Sequence, residues 1–99
     1  MRVQDLAAVM AIERASYEFP WTEPIFRDCL RAGYDCYVYD SRQGVLGYGI
    51  MSLGAGECHL LNICIHADYR DQGLATRLIE QLLARARRKR ASLALLEVR

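Results

Sequence analysis

Arg70-Asp71-Gln72-Gly73-Leu74-Ala75-Thr76 is the stretch whose residue types and spacing point most directly to chemistry. An arginine, a polar turn and a glycine stand where a helix begins. The first-turn N–H groups of a helix have no acceptor within the helix, and its dipole places partial positive charge at that end. Together they make an anion site. Gly73 has no Cβ, so a bulky phosphate could approach its backbone, and Arg70 could add a full charge. The pattern is not a P-loop, because no Gly-Lys-Ser/Thr follows, and it is not the dinucleotide fingerprint. The alternative is an ordinary strand-to-helix turn that binds nothing.

Two carboxylates draw notice. Glu13 falls on or beside the apolar face of a helix. Either that helix is rotated, with Glu13 at its solvated edge, or Glu13 lines a polar cleft. Glu97 shares a strand face with Leu95 near the end of the chain and reads, on its own, as a strand-end surface carboxylate. His59, Asn62 and His66 lie on or near one strand and read as surface or satisfied strand residues. Cys29, Cys36, Cys58 and Cys64 show no metal-ligand spacing. They read as reduced thiols of a cytosolic protein, with no metal expected.

These residues need elements to position them. Leu60 to His66 is an apolar run with β-branched residues, which predicts a buried strand. Behind Gly73, the positions Leu74, Leu78, Ile79, Leu82, Leu83 and Ala86 repeat at helical spacing on one face. Upstream, Met1 to Gln4 is read as the end of a strand. Asp5 is placed to cap a helix from Leu6 to about Ser16, with Leu6, Val9, Met10 and Tyr17 on one face. Phe19-Pro20-Trp21-Thr22-Glu23 follows. Thr22 is the expected cap of a second helix, Glu23 to Arg31, with Pro24 in its first turn. Phe26, Cys29 and Leu30 face inward and Gly33 ends it. Phe19 and Trp21 are either core or the wall of a substrate groove. The pattern then changes period. Strands are expected over Cys36–Tyr39, Val45–Leu53 and Glu57–His66, joined by turns at Asp40–Gly44 and Gly54–Gly56. This is an antiparallel meander. Gly47 and Gly49 inside a strand signal a bulge or a close backbone approach. The final strand, Leu93–Val98, should run parallel to Glu57–His66, because a helix separates them.

The chain has 99 residues, enough for one domain, with 53% hydrophobic residues and a formal net charge of +1. No signal peptide or membrane span is read in it. The run Arg85-Ala86-Arg87-Arg88-Lys89-Arg90 is read as a solvated last helical turn rather than a nucleic-acid patch.

With these pieces together, the sequence resembles the GNAT (general N-acetyltransferase) superfamily. That family's acetyl-CoA pyrophosphate motif is Arg/Gln-x-x-Gly-x-Gly/Ala, present here as Arg70 to Ala75 after an apolar strand and before an amphipathic helix. Phe19-Pro20-Trp21-Thr22 and Leu96-Glu97-Val98-Arg99 narrow the likeness to bacterial enzymes that acetylate the N-terminal α-amino group of a ribosomal protein. The resemblance implies an α/β (α+β) GNAT-type mixed sheet, of which residues 1–99 form the N-terminal part of a single domain. It implies acetyl-CoA as co-substrate, a protein N-terminus as acceptor and a cytoplasmic setting. Ile63, Cys64 and Ile65 would hold the pantetheine arm through their backbone. Arg70, Asp71, Gln72, Gly73, Leu74, Ala75 and Thr76 would hold the pyrophosphate. Glu97 would be the general base. In the family an Asn and a helix bearing the general-acid tyrosine follow the Leu-Glu-Val-Arg strand, whereas this sequence stops at Arg99. The expectation is therefore an acetyltransferase N-terminal part, or else an acetyl-CoA-binding fragment without turnover. Self-association through Leu93–Val98 as an exposed strand edge is expected as well.

Overall fold

The computed structural model describes residues 1–96, with side chains for residues 1–91. The described elements, in order, are a 3-10 turn at Val3–Asp5, α1 (Leu6–Ser16), α2 (Glu23–Arg31), β1 (Asp35–Ser41), β2 (Gly44–Gly54), β3 (Glu57–Ile65), a 3-10 turn at Ala67–Tyr69, α3 (Leu74–Arg88) and β4 (Ser92–Leu96). The sheet order is β1-β2-β3-β4. The first three strands are antiparallel and β4 runs parallel to β3. This is the expected meander, helix and parallel final strand. β4 lies at the sheet edge, which is where self-association was expected, but Val98 lies outside the described residues.

Two apolar layers sandwich the sheet. On one face Leu6, Val9, Met10 and Ile12 of α1 and Phe26 of α2 pack against Cys36, Tyr48, Ile50 and Cys64. On the other, Leu74, Leu78, Leu82 and Ala86 of α3 cover Met51, Cys58, Leu60 and Ile65. Each helix thus buries one stripe at 3.6-residue spacing, as an amphipathic surface helix must.

Local chemistry sets most of the boundaries. Gly33 adopts φ +79°, donates to Leu30 O at 3.2 Å and lets Tyr34 N reach Cys29 O at 3.1 Å, which closes α2. Ala55 and Gly56 both have positive φ, the signature of a two-residue hairpin turn between β2 and β3. Two expectations fail at the N-terminal end. The chain start is a 3-10 turn, not a strand, because Asp5 N donates to Arg2 O at 2.9 Å. Asp5 makes no side-chain cap for α1. Its carboxylate instead accepts the Arg2 N–H at 2.7 Å. Thr22 does occupy the N-cap of α2, but through its backbone oxygen, with no side-chain bond.

The β2 glycines reflect close approach. A Cβ on Gly47 would lie 2.8 Å from the Cys64 carbonyl oxygen, and one on Gly49 would lie 2.9 Å from Leu82 Cδ1. We expect Gly47→Ala to destabilise the fold by about 1–3 kcal/mol, since the obstacle is backbone that cannot rotate away. Urea denaturation measures it, and a midpoint equal to the wild type would contradict the packing.

One irregularity matters for function. Ile50 pairs with Asn62 and Met51 with Leu60, so Leu61 is an extra residue in β3. The bulge reverses the alternation of side chains. Cys58 and Leu60 pack on the α3 side, while Cys64 packs on the α1 side. Asn62 is thereby turned toward α1.

Candidate functional site

A groove of about 490 Å³ opens between the end of α1, the end of β3 and the loop that leads into α3. Three features of the chain meet there.

The first is the N-terminus of α3. Gly73 is its N-cap, at φ +76° and ψ +11°, and the preceding Asp71 is also left-handed, at φ +63°. Asp tolerates this region better than most residues. The first helical hydrogen bond is Arg77 N to Gly73 O, 3.1 Å. The N–H groups of Leu74, Ala75 and Thr76 therefore have no acceptor within the helix. No acidic residue stands in its first turn. A Cβ on Gly73 would meet nothing within 4 Å, so the space beside its backbone is open. Orphan donors, dipole and open space fit a phosphate-bearing ligand.

The second is the edge of β3. His66 N donates to Leu46 O of β2 at 2.7 Å. Backbone groups of a strand alternate in direction, so Cys64 also faces β2, while Ile63 and Ile65 face away from it. Among the described residues β4 pairs with β3 no further than Leu60. Beyond that point the outward edge of β3 forms the groove wall. Of the three residues expected to present their backbone, Ile63 and Ile65 do so and Cys64 does not.

The third is Arg70. Its Nε donates to the Ile65 carbonyl at 3.0 Å and its Nη2 to Ser16 Oγ at 2.9 Å. The guanidinium is a brace that ties the loop to β3 and to α1. Its fixed charge stays at the groove rim, beside the open α3 N-terminus. Gln72 and Thr76 are exposed at the same loop. Glu97, the expected base, lies outside the described residues.

The structure also places a residue whose role the sequence left open. Glu13 is fully buried, 0% exposed, so it is neither at a solvated edge nor at the surface of a cleft. Its Oε1 accepts from Tyr48 Oη at 2.5 Å and from Asn62 Nδ2 at 2.9 Å, and its Oε2 accepts the Trp21 N–H at 2.8 Å. A carboxylate within an apolar helical stripe was the only signal. Asn62, 2% exposed, is a satisfied strand residue. Tyr17 carries the network into the groove, donating to Ile63 O at 3.2 Å and Asn62 Oδ1 at 3.4 Å. The aromatics flanking Pro20 divide. Trp21 packs on Phe26 with ring centroids 5.3 Å apart, while Phe19 is 80% exposed.

The remaining candidates have ordinary surroundings. His59 lies 3.1 Å from Glu57, and His66 Nδ1 accepts the Asp68 N–H at 3.0 Å. Arg85 pairs with Asp35 at 3.1 Å, and the rest of the basic run is exposed apart from Ala86. The four cysteines are free and buried. Among the described residues, no three His, Cys, Asp or Glu side chains form a group able to hold a metal, and no helix is long and apolar enough to cross a membrane.

Burial makes this core sensitive to alkali. It pushes the Cys36 thiol from 9.0 up to about 11, with Cys29 and Asp35 adding to the shift. Burial and the hydrogen bond to Glu13 raise the Tyr48 phenol well above its ordinary 10.0. Folded, both groups keep a proton that the unfolded chain has already lost. Their stability contribution is therefore intact below pH 9.0 and falls as pH rises through the folded value of about 11 for Cys36. Thermal melting should show a flat plateau that declines above that lower bound, and Cys36→Ala should flatten the decline. A melting temperature that rises over this interval would contradict the burial.

Comparison with known proteins identifies the family and the fold. The family model described as "Acetyltransferase (GNAT) family" matches residues 6–99. The ribosomal protein bS18-alanine N-acetyltransferase of Escherichia coli is 28% identical over 99 residues, 100% of this chain and 67% of that protein. A Bacillus subtilis relative, provisionally given the same activity, is 32% identical over 101 residues, again 100% of this chain and 67% of that one. The crystal structure of the Escherichia coli enzyme superposes with a TM-score of 0.83 at 27% identity, over 90% of this chain and 57% of that one. The chain thus spans about two thirds of the curated relatives it matches and little more than half of that crystal structure's chain.

Proposed function

The chain belongs to the GNAT acetyltransferase family, and from that premise we propose that it moves an acetyl group from acetyl-CoA to the N-terminal α-amino group of a protein. The proposed acceptor is a ribosomal protein and the proposed setting is the cytoplasm. The chain would act as the N-terminal part of one such domain. The observation that carries this reading is that the open edge of β3 and the bare N-terminus of α3 bound one groove.

The pyrophosphate would lie on the N–H groups of Leu74, Ala75 and Thr76, with Gly73 admitting it and Arg70, Asp71 and Gln72 shaping the loop. The pantetheine amides would pair with Ile63 and Ile65 as an added strand would, with Cys64 holding that edge through its pairing with β2. An N–H at this edge, aimed at the thioester oxygen, would stabilise the developing oxyanion. Glu97, carried over from the family likeness, would take the proton of the attacking amine. The nitrogen then bonds the acetyl carbon, the carbon–sulfur bond breaks, and the thiolate takes up a proton. An α-amine suits a weak base. With a pKa of about 8 it is roughly a tenth neutral at pH 7, against a few in ten thousand for a lysine at about 10.4.

A second reading keeps the binding and drops the turnover. Its support is that the described residues furnish the binding half of the groove, while the Tyr17 hydroxyl donates to the Ile63 carbonyl and Asn62. Incubation with acetyl-CoA and a peptide carrying a free N-terminal alanine separates the two. Release of free thiol with an acetylated peptide supports transfer, and its loss in Glu97→Gln supports the base. Bound but unconsumed acetyl-CoA supports the second reading.

A further inference from the structure

We infer that Glu13 is a positioning residue for the groove, fixing the outward edge of β3 and the loop Phe19–Trp21 to one another through a single buried carboxylate. Its functional meaning rests on the acetyl-CoA reading of the groove.

The argument starts from cost. Taking a carboxylate out of water is expensive, and an apolar residue of similar volume is often as good or better for stability alone. Glu13 is nevertheless wholly buried among Leu6, Val9, Met10 and Ile12 of its own helix. What it gains is geometry. Its two oxygens serve different parts of the molecule. Oε1 takes donors from β2 and β3, and Oε2 takes a backbone donor from the α1–α2 connection. No regular hydrogen-bond ladder joins that connection to the sheet, and the carboxylate ties its Trp21 N–H to β2 and β3, while Tyr17 at its start bonds β3 directly.

The link continues to the groove. Asn62 is turned toward Glu13 by the bulge at Leu61. With its Nδ2 held by Glu13, its Oδ1 is left facing Tyr17. The Tyr17 hydroxyl also donates to the Ile63 carbonyl, on the groove wall itself. A shift of Glu13 would therefore move the strand edge and the Trp21 loop together. The α3 N-terminus is attached separately, through Arg70, and would not follow.

Two hydroxyl deletions separate positioning from mere support. Tyr48→Phe removes a donor at the core end of the network, and Tyr17→Phe removes the one at the groove end. In the ligand-free chain, amide NMR should show the signals around the Ile63 carbonyl, from Ile63 to Ile65, displaced in Tyr17→Phe. Tyr48→Phe should lower the melting temperature and leave those amides in place. Glu13→Gln, whose single amide oxygen cannot serve both ends, should move the Trp21 and Ile63 amides together. Should it not fold, the tyrosine pair still decides. Tyr17→Phe without effect at Ile63 and Ile65, or both tyrosine variants acting alike there, would overturn the inference. Failure of the wild type to bind acetyl-CoA would instead remove the functional reading, while the amide comparison still judges the positioning.

Discussion

We expect Gly73→Asp to weaken acetyl-CoA binding by about a hundredfold or more while the chain stays folded. A side chain at Gly73 projects into open space, with nothing within 4 Å, so packing does not oppose the change. The backbone is at φ +76°, where a non-glycine residue costs about 1–2 kcal/mol, and less for Asp. The ligand term is larger. The new carboxylate would stand beside the orphan N–H groups of α3, where a pyrophosphate would lie. Two unit charges about 4 Å apart repel by about 4 kcal/mol at an effective dielectric near 20. Affinity should fall by about a hundredfold or more, since each tenfold is about 1.4 kcal/mol. Gly73→Ala carries the strain without the charge and should weaken binding only modestly. Calorimetry with circular dichroism on the same samples makes the comparison. Equal affinities for Gly73→Asp and wild type would remove the phosphate site from α3.

Glu13→Ala has the largest expected effect on stability. It strands three donors, Tyr48 Oη, Asn62 Nδ2 and Trp21 N, and leaves a void in the α1 face of the core. Each unsatisfied buried donor costs about 1–3 kcal/mol. Relaxation and entering water would bring the total to about 3–5 kcal/mol, the range for breaking a buried polar cluster. A domain of this kind holds only about 5–15 kcal/mol in all, so the substitution should remove a large share of its stability. Glu18, exposed on the connection that follows α1, serves as control. Glu18→Ala should stay within about 0.5 kcal/mol of wild type. Urea midpoints of the two variants measure the contrast, and similar midpoints would contradict the buried network.

The features legible in the sequence are those set by neighbours along the chain. Pro24 and Gly33 bracket α2 because a proline ring and a left-handed φ act within one turn. Gly73 marked the loop for the same reason, and the helical repeat from Leu74 to Ala86 exposed the face of α3 that packs. Glu13 was not legible as a hub. Its partners lie 8, 35 and 49 residues away, and only the folded sheet brings them together. The bulge at Leu61 escaped notice because it is a property of the pairing with β2 rather than of β3 alone, and without it Asn62 would face α3. Arg70 was read as a phosphate ligand from its charge. Its hydrogen bonds to Ile65 and Ser16 show a brace that ties the loop to β3 and α1. Met1 to Gln4 was read as the end of a strand, but Asp5 bonds back to Arg2 and winds a turn over Val3–Asp5.

The most direct test of the account is an amide NMR titration of the 99-residue chain with acetyl-CoA. The predicted result is saturable shifts at two separated stretches, Gly73 to Thr76 and Ile63 to Ile65, with Arg85 to Arg90 unmoved. Saturation with no shift at Ile63 or Ile65, or no shift anywhere in a folded sample, would contradict an acetyl-CoA groove built from the β3 edge and the α3 N-terminus.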